Sequence, residues 1–315
     1  MISVIVCTYN RAKSLEKTLE SFLGQKFSSD VLWELIVVDN NSKDNTKQLV
    51  EYFLSKFQGK LRYVLELTQG LSFARNKGIQ KALGDIVAFT DDDCFVDKNW
   101  VNNIYKSFEM FQCVGIGGQV LVNWPNGLPP WFKKGDFGLD APVGMHDHGE
   151  QVFLYTRNMG LPIGANMSFK KAIFEKYGNF DTKAGFIGGK KTFGAGEDTE
   201  FVRRLLKNGE KVLYVPSIKV THNVLSERLN KKYIRKWFFQ SGKKIALSEE
   251  YANSSRFFMK IPFWLFKEFF YCILDYIKNI LKFNSKNRFY SEVQVIKILG
   301  GFYEIIKLKA YAHRN

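Results

Sequence analysis

Three consecutive carboxylates, Asp91-Asp92-Asp93, follow the apolar run Ile86-Val87-Ala88-Phe89 and continue into Cys94. Acidic side chains gathered at a strand end repel one another and cost stability unless a cation sits among them. Hard divalent ions use one or two carboxylates and complete their shell with substrate phosphate oxygens. The run therefore points to a metal that holds a nucleotide diphosphate. A solvated acidic turn is the simpler alternative, and the neighbouring motifs decide between the two.

The elements that must position these residues alternate in type. Ser3-Val4-Ile5-Val6-Cys7 is an apolar run of strand length, and Leu15, Leu19, Phe22 and Leu23 then recur at helical spacing. A second strand, Trp33 to Val38, ends at Asp39-Asn40-Asn41-Ser42. That cluster offers capping chemistry to a helix carrying Leu49, Val50, Phe53, Leu54 and Phe57. Leu61 to Val64 and Ile86 to Thr90 read as further strands, with a helix over Ala74 to Ala82 between them. This alternation predicts a mostly parallel sheet with helices on both faces, whose ligands bind beyond the carboxyl ends of the strands. Thr8, Asp39 and Asp91 to Asp93 all stand at such ends.

Gly115 to Phe193 is less regular, and Asn123 to Trp131 reads as a loop. Glycines crowd the stretch from Gly185 to Gly196, which reads as a mobile segment. It is not a P-loop, because Gly189-Lys190 is followed by Lys191 where that motif needs Ser or Thr, and Gly115-Ile116-Gly117-Gly118 lacks dinucleotide-site spacing. Glu197-Asp198-Thr199-Glu200 opens a helix with Phe201, Leu205 and Leu206. The strand Val212 to Val215 follows, and then Val220-Thr221-His222. His146-Asp147-His148 stands in an irregular loop with no partner cluster and reads as polar surface.

The 315 residues allow one to three domains, and 45% hydrophobic content supports a large core. Four scattered cysteines form no C-x-x-C pair, which disfavours a disulfide frame or zinc site and fits a reducing compartment. The N-terminus reads as lacking a signal peptide. The net charge of +15 is uneven: residues 226–315 carry 18 Lys+Arg against 7 Asp+Glu. Such a tail predicts an anionic partner, a membrane surface or nucleic acid. It is helical in pattern and rich in aromatics. Its charges interrupt every apolar run, so it suits an interfacial helix better than a spanning one.

Read in order, Val4-Ile5-Val6-Cys7-Thr8-Tyr9-Asn10-Arg11, Leu35 to Ser42, Gly70 to Gly78, the aspartate triplet, Gly164-Ala165-Asn166-Met167-Ser168 and Gly196-Glu197-Asp198 resemble the family-two glycosyltransferases. The resemblance covers Met1 to about Asn223 and implies the GT-A fold, a Rossmann-like, mostly parallel mixed sheet flanked by helices. It also implies inverting transfer of a sugar from a nucleotide-diphosphate donor, of UDP type, to an acceptor hydroxyl, with Mn²⁺ or Mg²⁺. By the same resemblance Asp93 is the metal ligand, Asp91 lies near the donor ribose, and Asp92 binds the metal or its waters. His222 helps hold the metal or the diphosphate. Thr8 and Asn10 contact base and ribose, Asp39 accepts a hydrogen bond from the base, and Arg75 faces the nucleotide or its diphosphate through its bidentate fork. Asn166 lines the sugar site. Asp198 takes the acceptor proton, and Glu197 is the alternative base.

The chain departs from processive relatives. Arg235-Lys236-Trp237 matches only part of Q-x-x-R-W, so addition of single sugars is expected. The expected organisation is a catalytic domain over residues 1–225, split into a nucleotide-binding half (1–115) and an acceptor-side half (116–225), with a basic aromatic helical extension at 226–315. The setting is cytoplasmic, peripheral on a membrane that carries a sugar or lipid-linked saccharide acceptor for surface polysaccharide or glycolipid assembly. Competing readings are a nucleotidyltransferase, for which Arg11 and Lys13 are thin support, and a non-catalytic membrane-associated scaffold. Nucleic acid as a partner lacks a recognised module.

Overall fold

A computed structural model describes residues 1–135, 138–182, 196–247, 251, 254–258 and 261–312. The glycine-rich segment preceding Gly196 lies outside them.

The described residues divide into two compact units, Met1–Asn123 with Gly144–Val224, and Trp124–Val143 with Leu225–Asn315. The Trp124–Val143 segment, read from sequence as part of the catalytic region, therefore clusters with the tail.

The first unit is built on one mixed sheet of nine strands: β1 (Ile2–Thr8), β2 (Trp33–Asp39), β3 (Leu61–Leu65), β4 (Ile86–Asp91), β5 (Cys94–Val96), β6 (Gly115–Val122), β7 (Phe153–Leu154), β8 (Met167–Lys170) and β9 (Val212–His222). The spatial order is β3-β2-β1-β4-β8-β6-β9-β5, with β7 beside β9. Strands β1 to β4 run parallel, as their alternation with α1 (Ala12–Leu23), α2 (Thr46–Leu54) and α3 (Leu71–Lys81) requires. Strand β8 then inserts antiparallel between β4 and β6. Side-chain period two sends Val4, Val6, Leu35 and Val37 to one face, under α1, α2 and α4 (Trp100–Met110). Ile5, Ile36, Val38 and Phe89 go to the other, under α3, α6 (Ala172–Tyr177) and α7 (Glu197–Lys207). Both faces are covered, so the strands read as continuous apolar runs.

Strand β6 carries three glycines because its neighbours press close: a Cβ on Gly115 would fall 2.6 Å from the Phe169 ring, and one on Gly118 would fall 2.3 Å from the Ile218 carbonyl oxygen. The glycines hid a buried strand inside a stretch that looks irregular in sequence. The capping expected of the Asp39–Ser42 cluster also falls elsewhere. Helix α2 starts at Thr46, and Asp44 accepts from the Thr46 backbone N–H at 3.1 Å and from the Ala12 N–H, where α1 starts, at 3.0 Å.

The second unit contains α5 (Asp140–Val143), α8 (Lys231–Lys243), α9 (Phe263–Leu281) and α10 (Ser285–Ala312). Helix α10 packs against α8 and α9, and Leu265, Ile298 and Ile305 lie in the buried cluster they share. Arg235 of α8 pairs with Glu292 of α10.

At the amino ends of the strands, buried Glu34 receives hydrogen bonds from the Ser3 hydroxyl (2.6 Å) and the Leu83 N–H (2.8 Å), and it pairs with Arg62 (2.5 Å). One carboxylate thus ties β1, β2, β3 and the α3–β4 turn together, at the edge opposite the strands' carboxyl ends. Glu34→Ala strips three donors of their acceptor. It is expected to lower unfolding free energy by about 3 kcal/mol, read by urea titration, without changing ligand binding by the folded protein.

Candidate active site

Strands β1 and β4 are adjacent and parallel, with Cys7 opposite Asp91. From β1 the chain builds outward through β2 to β3, then returns to β4 on the other side of β1. A crevice opens at such a reversal, beyond the carboxyl ends of the strands. Thr8 and Asp91 to Asp93 border it. Strand β5 pairs with the far end of β9 and sets Cys94 opposite His222, while the Asn223 N–H donates to the Asp93 carbonyl at 2.8 Å. That pairing delivers His222 Nε2 to 3.3 Å from Asp93 Oδ1.

Ligating atoms of Asp91, Asp93 and Cys94 lie within 4.8 Å of one another. Burial pushes the Cys94 thiol well above its ordinary pKa, and its soft sulfur is a poor ligand for a hard cation. Two carboxylates remain, with the His222 imidazole beside Asp93, and such donors fit Mn²⁺ or Mg²⁺ with phosphate oxygens completing the shell. Burial raises the Asp91 pKa, against Arg75. Burial acts in the same sense on Asp93, but contacts from His222 and Arg11 outweigh it and hold that carboxyl below the usual range. Asp91 and Asp93 are therefore the two carboxylates of this cluster.

Asp92 points elsewhere. It is 4% exposed, accepts from the Thr8 hydroxyl at 2.8 Å, and pairs with Arg11 at 2.8 Å. Burial, partly offset by Arg11, raises its pKa to about 7. Both of its oxygens are engaged by protein, Oδ2 by Thr8 and Oδ1 by Arg11. The Thr8 hydroxyl, expected to meet the base or ribose, is likewise spent as a donor. Arg11, which sequence reasoning set aside, also pairs with Asp93 at 2.6 Å and so spans two of the three carboxylates. Its place directly after Thr8-Tyr9-Asn10 was the available signal.

Asn10 adopts left-handed backbone (φ 52°) and joins two loops, donating its N–H to Ser42 Oγ and accepting from the Lys43 N–H at 2.6 Å. Asp39 is buried and accepts from the Ser42 N–H at 2.9 Å and the Tyr63 hydroxyl at 2.8 Å. Each oxygen retains a lone pair. Asn40 anchors the next loop through the Thr68 carbonyl and the Gly70 N–H.

Arg75, expected to face the nucleotide or its diphosphate, is 3% exposed. Its guanidinium meets Glu197 at 2.6 Å and Asp91 at 3.6 Å. Glu197 is 1% exposed, and its other oxygen accepts from the Gly196 N–H at 3.0 Å. Burial raises its pKa while Arg75 opposes the rise. A carboxylate held this way is a strut between α3 and the start of α7. Asp198, the next residue, is only partly buried and accepts from the Gly164 N–H at 2.9 Å and the Thr199 N–H at 2.7 Å. Gly164 serves twice: a Cβ there would fall 1.8 Å from Arg75 Nη2, so the strut exists only because the side chain is missing.

Asn166, expected to line the sugar site, instead pins the sheet. Its Nδ2 donates to the Gln119 and Ile218 carbonyls (2.9 and 2.8 Å), and its Oδ1 accepts from Trp100 Nε1 (3.0 Å). His146 is not surface but 6% exposed, 2.7 Å from the Tyr155 hydroxyl; burial lowers its pKa to about 3.

The family description "Glycosyl transferase family 2" matches residues 3–178. A glucosyl-dolichyl phosphate glucuronosyltransferase of Haloferax volcanii is 30% identical over 232 residues, covering 72% of this chain and 70% of its own. The succinoglycan biosynthesis protein ExoM of Rhizobium meliloti is 27% identical over 241 residues, covering 76% and 72%. A solved mannosyltransferase from Pyrobaculum calidifontis, in complex with GDP-Man and Mn²⁺, superposes with a TM-score of 0.56 at 17% identity, over 99% of this chain and 79% of that one. The chain belongs to glycosyl transferase family 2, has the GT-A fold and is a glycosyltransferase. The nucleotidyltransferase and scaffold readings are not favoured.

Asn166→Ala leaves two buried carbonyls and an indole N–H without partners. It is expected to cost about 2–4 kcal/mol of stability, measured by denaturant unfolding. Nucleotide-sugar affinity of the folded fraction should stay within about threefold (under 1 kcal/mol); a sugar-lining role would give the reverse pattern.

Proposed function

We propose that this chain is a metal-dependent inverting transferase that moves a sugar from a nucleotide-diphosphate donor to a hydroxyl of a sugar or lipid-linked saccharide. One observation carries the reading. Arg75 touches both Asp91, at the strand end suited to a metal, and Glu197, which starts the helix bearing Asp198. On our reading, a donor-side carboxylate and the helix start that bears a candidate base are tied to one guanidinium.

Asp93, Asp91 and His222 would hold the divalent ion, which when bound stabilises negative charge growing on the departing diphosphate. Asp39 uses its remaining lone pairs for a base N–H, and Asn10 borders the ribose. Asp198 takes the proton of the acceptor hydroxyl as that oxygen attacks the anomeric carbon from the face opposite the leaving diphosphate. The C1–O bond to phosphate breaks as the new glycosidic bond forms, which inverts the centre. The Gly164 and Thr199 N–H groups fix the carboxylate so that little reorganisation is needed.

The names of the relatives support the substrate class. A dolichyl-phosphate-linked glucose and succinoglycan assembly place those proteins in glycolipid and polysaccharide synthesis. The GDP-Man and Mn²⁺ of the Pyrobaculum enzyme support a nucleotide donor and manganese; a UDP sugar is our reading for this chain. Among the described residues no helix is long and apolar enough to cross a membrane. The basic tail would instead keep the enzyme on the cytoplasmic face of an anionic membrane.

Asp198→Asn is expected to lower kcat by about 10²–10⁴-fold with donor affinity nearly unchanged, measured by release of nucleoside diphosphate and by calorimetry. Unchanged turnover would overturn the assignment of the base. Asp93→Ala, or chelator on the intact protein, should abolish Mn²⁺-dependent donor binding in calorimetry. Binding that survives chelation would remove the metal from the mechanism.

A further inference from the structure

We infer that α9 is a membrane-insertion helix: the side formed by Phe263, Phe270, Leu274, Ile277 and Leu281 enters an anionic lipid surface while Lys267, Lys278 and Lys282 bind its headgroups. This rests on the reading of the tail as membrane-facing and specifies how contact is made.

The helix has two apolar sides of different fate. Leu265 is fully buried within its own unit, and Phe269 and Cys272 pack against the same cluster. The other side is exposed: Phe263 53%, Phe270 62%, Leu274 62%, Ile277 47% and Leu281 72%. At 100° per residue these five fall within one narrow arc. Lys267, Lys278 and Lys282 line one edge of that arc, with Tyr271 (58% exposed) among them. The stripe continues past both helix ends. Phe258, 54% exposed, has its ring 6.5 Å from that of Phe263, and Phe283 beyond the C-terminus is 93% exposed. Scattered exposed apolar residues are ordinary, but a contiguous row along a 19-residue helix, about 28 Å long, marks a contact surface.

Charge selects the occupant. Within the helix Glu268 and Asp275 balance Lys267 and Lys278, so the repulsion of a second copy comes from the tail as a whole, with 18 Lys+Arg against 7 Asp+Glu over residues 226–315, and from Lys282 at the end of the stripe. An anionic bilayer satisfies both halves of the surface. The apolar row lies at acyl-chain depth, and the lysines, with long aliphatic stems, reach phosphates at the boundary.

The test is co-sedimentation of the full-length protein with vesicles of phosphatidylcholine alone, or mixed with phosphatidylglycerol, at low and high salt. Wild type should bind the mixed vesicles and keep a salt-resistant fraction. The triple variant Phe270→Ser, Leu274→Ser, Ile277→Ser should bind at least about tenfold more weakly at high salt, since each residue contributes apolar transfer energy. Lys267→Gln, Lys278→Gln, Lys282→Gln should lose the preference for phosphatidylglycerol. All six positions are solvent-facing, so thermal unfolding and nucleotide-sugar stabilisation measured without vesicles should match wild type. Binding by the apolar variant equal to wild type overturns the insertion helix and leaves charge alone to hold the membrane. No binding by wild type at low salt overturns the membrane reading, and the transferase reading then stands or falls on nucleotide-sugar stabilisation. A concentration-dependent dimer abolished by Leu274→Ser assigns the stripe to self-association and overturns the proposal.

Discussion

The site depends on one buried guanidinium. Arg75, on α3, contacts Glu197 at the start of α7 and Asp91 at the end of β4. Burying an ion is costly, and an ion pair offsets that cost only with good geometry and further hydrogen bonds. Glu197 meets those terms through the Gly196 N–H, and Gly164 meets them by having no side chain in the way. The result fixes the spacing between the acidic strand end and Asp198, two pieces of chain more than a hundred residues apart in sequence. The helix bearing the candidate base is thereby clamped against the sheet that bears the candidate metal ligands.

A second constraint is charge balance at the strand ends. Asp91, Asp92 and Asp93 are adjacent in sequence yet divide four partners among them: Arg75 for the first, Thr8 and Arg11 for the second, Arg11 again and His222 for the third. Each partner comes from a different element, so the triplet also organises the crevice. Asp92 is consumed as a structural anchor for the β1 loop, which leaves Asp91 and Asp93 as the pair whose repulsion a divalent ion would relieve. Arg11 holds part of that role from the protein side.

Strands β1 to β4 were readable because they are buried on both faces. Continuous apolar runs, each followed by helical spacing, leave few alternatives for β1 to β4, and the carboxylates at their ends follow from the topology. Strands β6 and β8 were not readable. In β6 glycine replaces branched apolar residues where Phe169 and the Ile218 backbone crowd in, and β8 is only four residues long. The candidate residues Asp93 and His222 come together because β5 and β9 pair, a long-range contact that no local pattern encodes. Asp92, Arg75, Glu197 and Asn166 are all buried and bonded to protein. Each is polar and motif-borne, and sequence cannot tell a side chain that meets substrate from one that holds the frame. Gly164 was legible as part of a motif, but its reason, room for a guanidinium, appears only in three dimensions.

The most direct measurement is anomalous diffraction from crystals of the protein grown with Mn²⁺ and a nucleoside diphosphate. The account predicts a manganese peak on the Asp91 and Asp93 carboxylates beside His222, with the diphosphate bound at that ion and the Asp198 carboxylate facing it across the crevice. Manganese elsewhere on the molecule, or a diphosphate bound away from the β1–β4 strand ends, would contradict it.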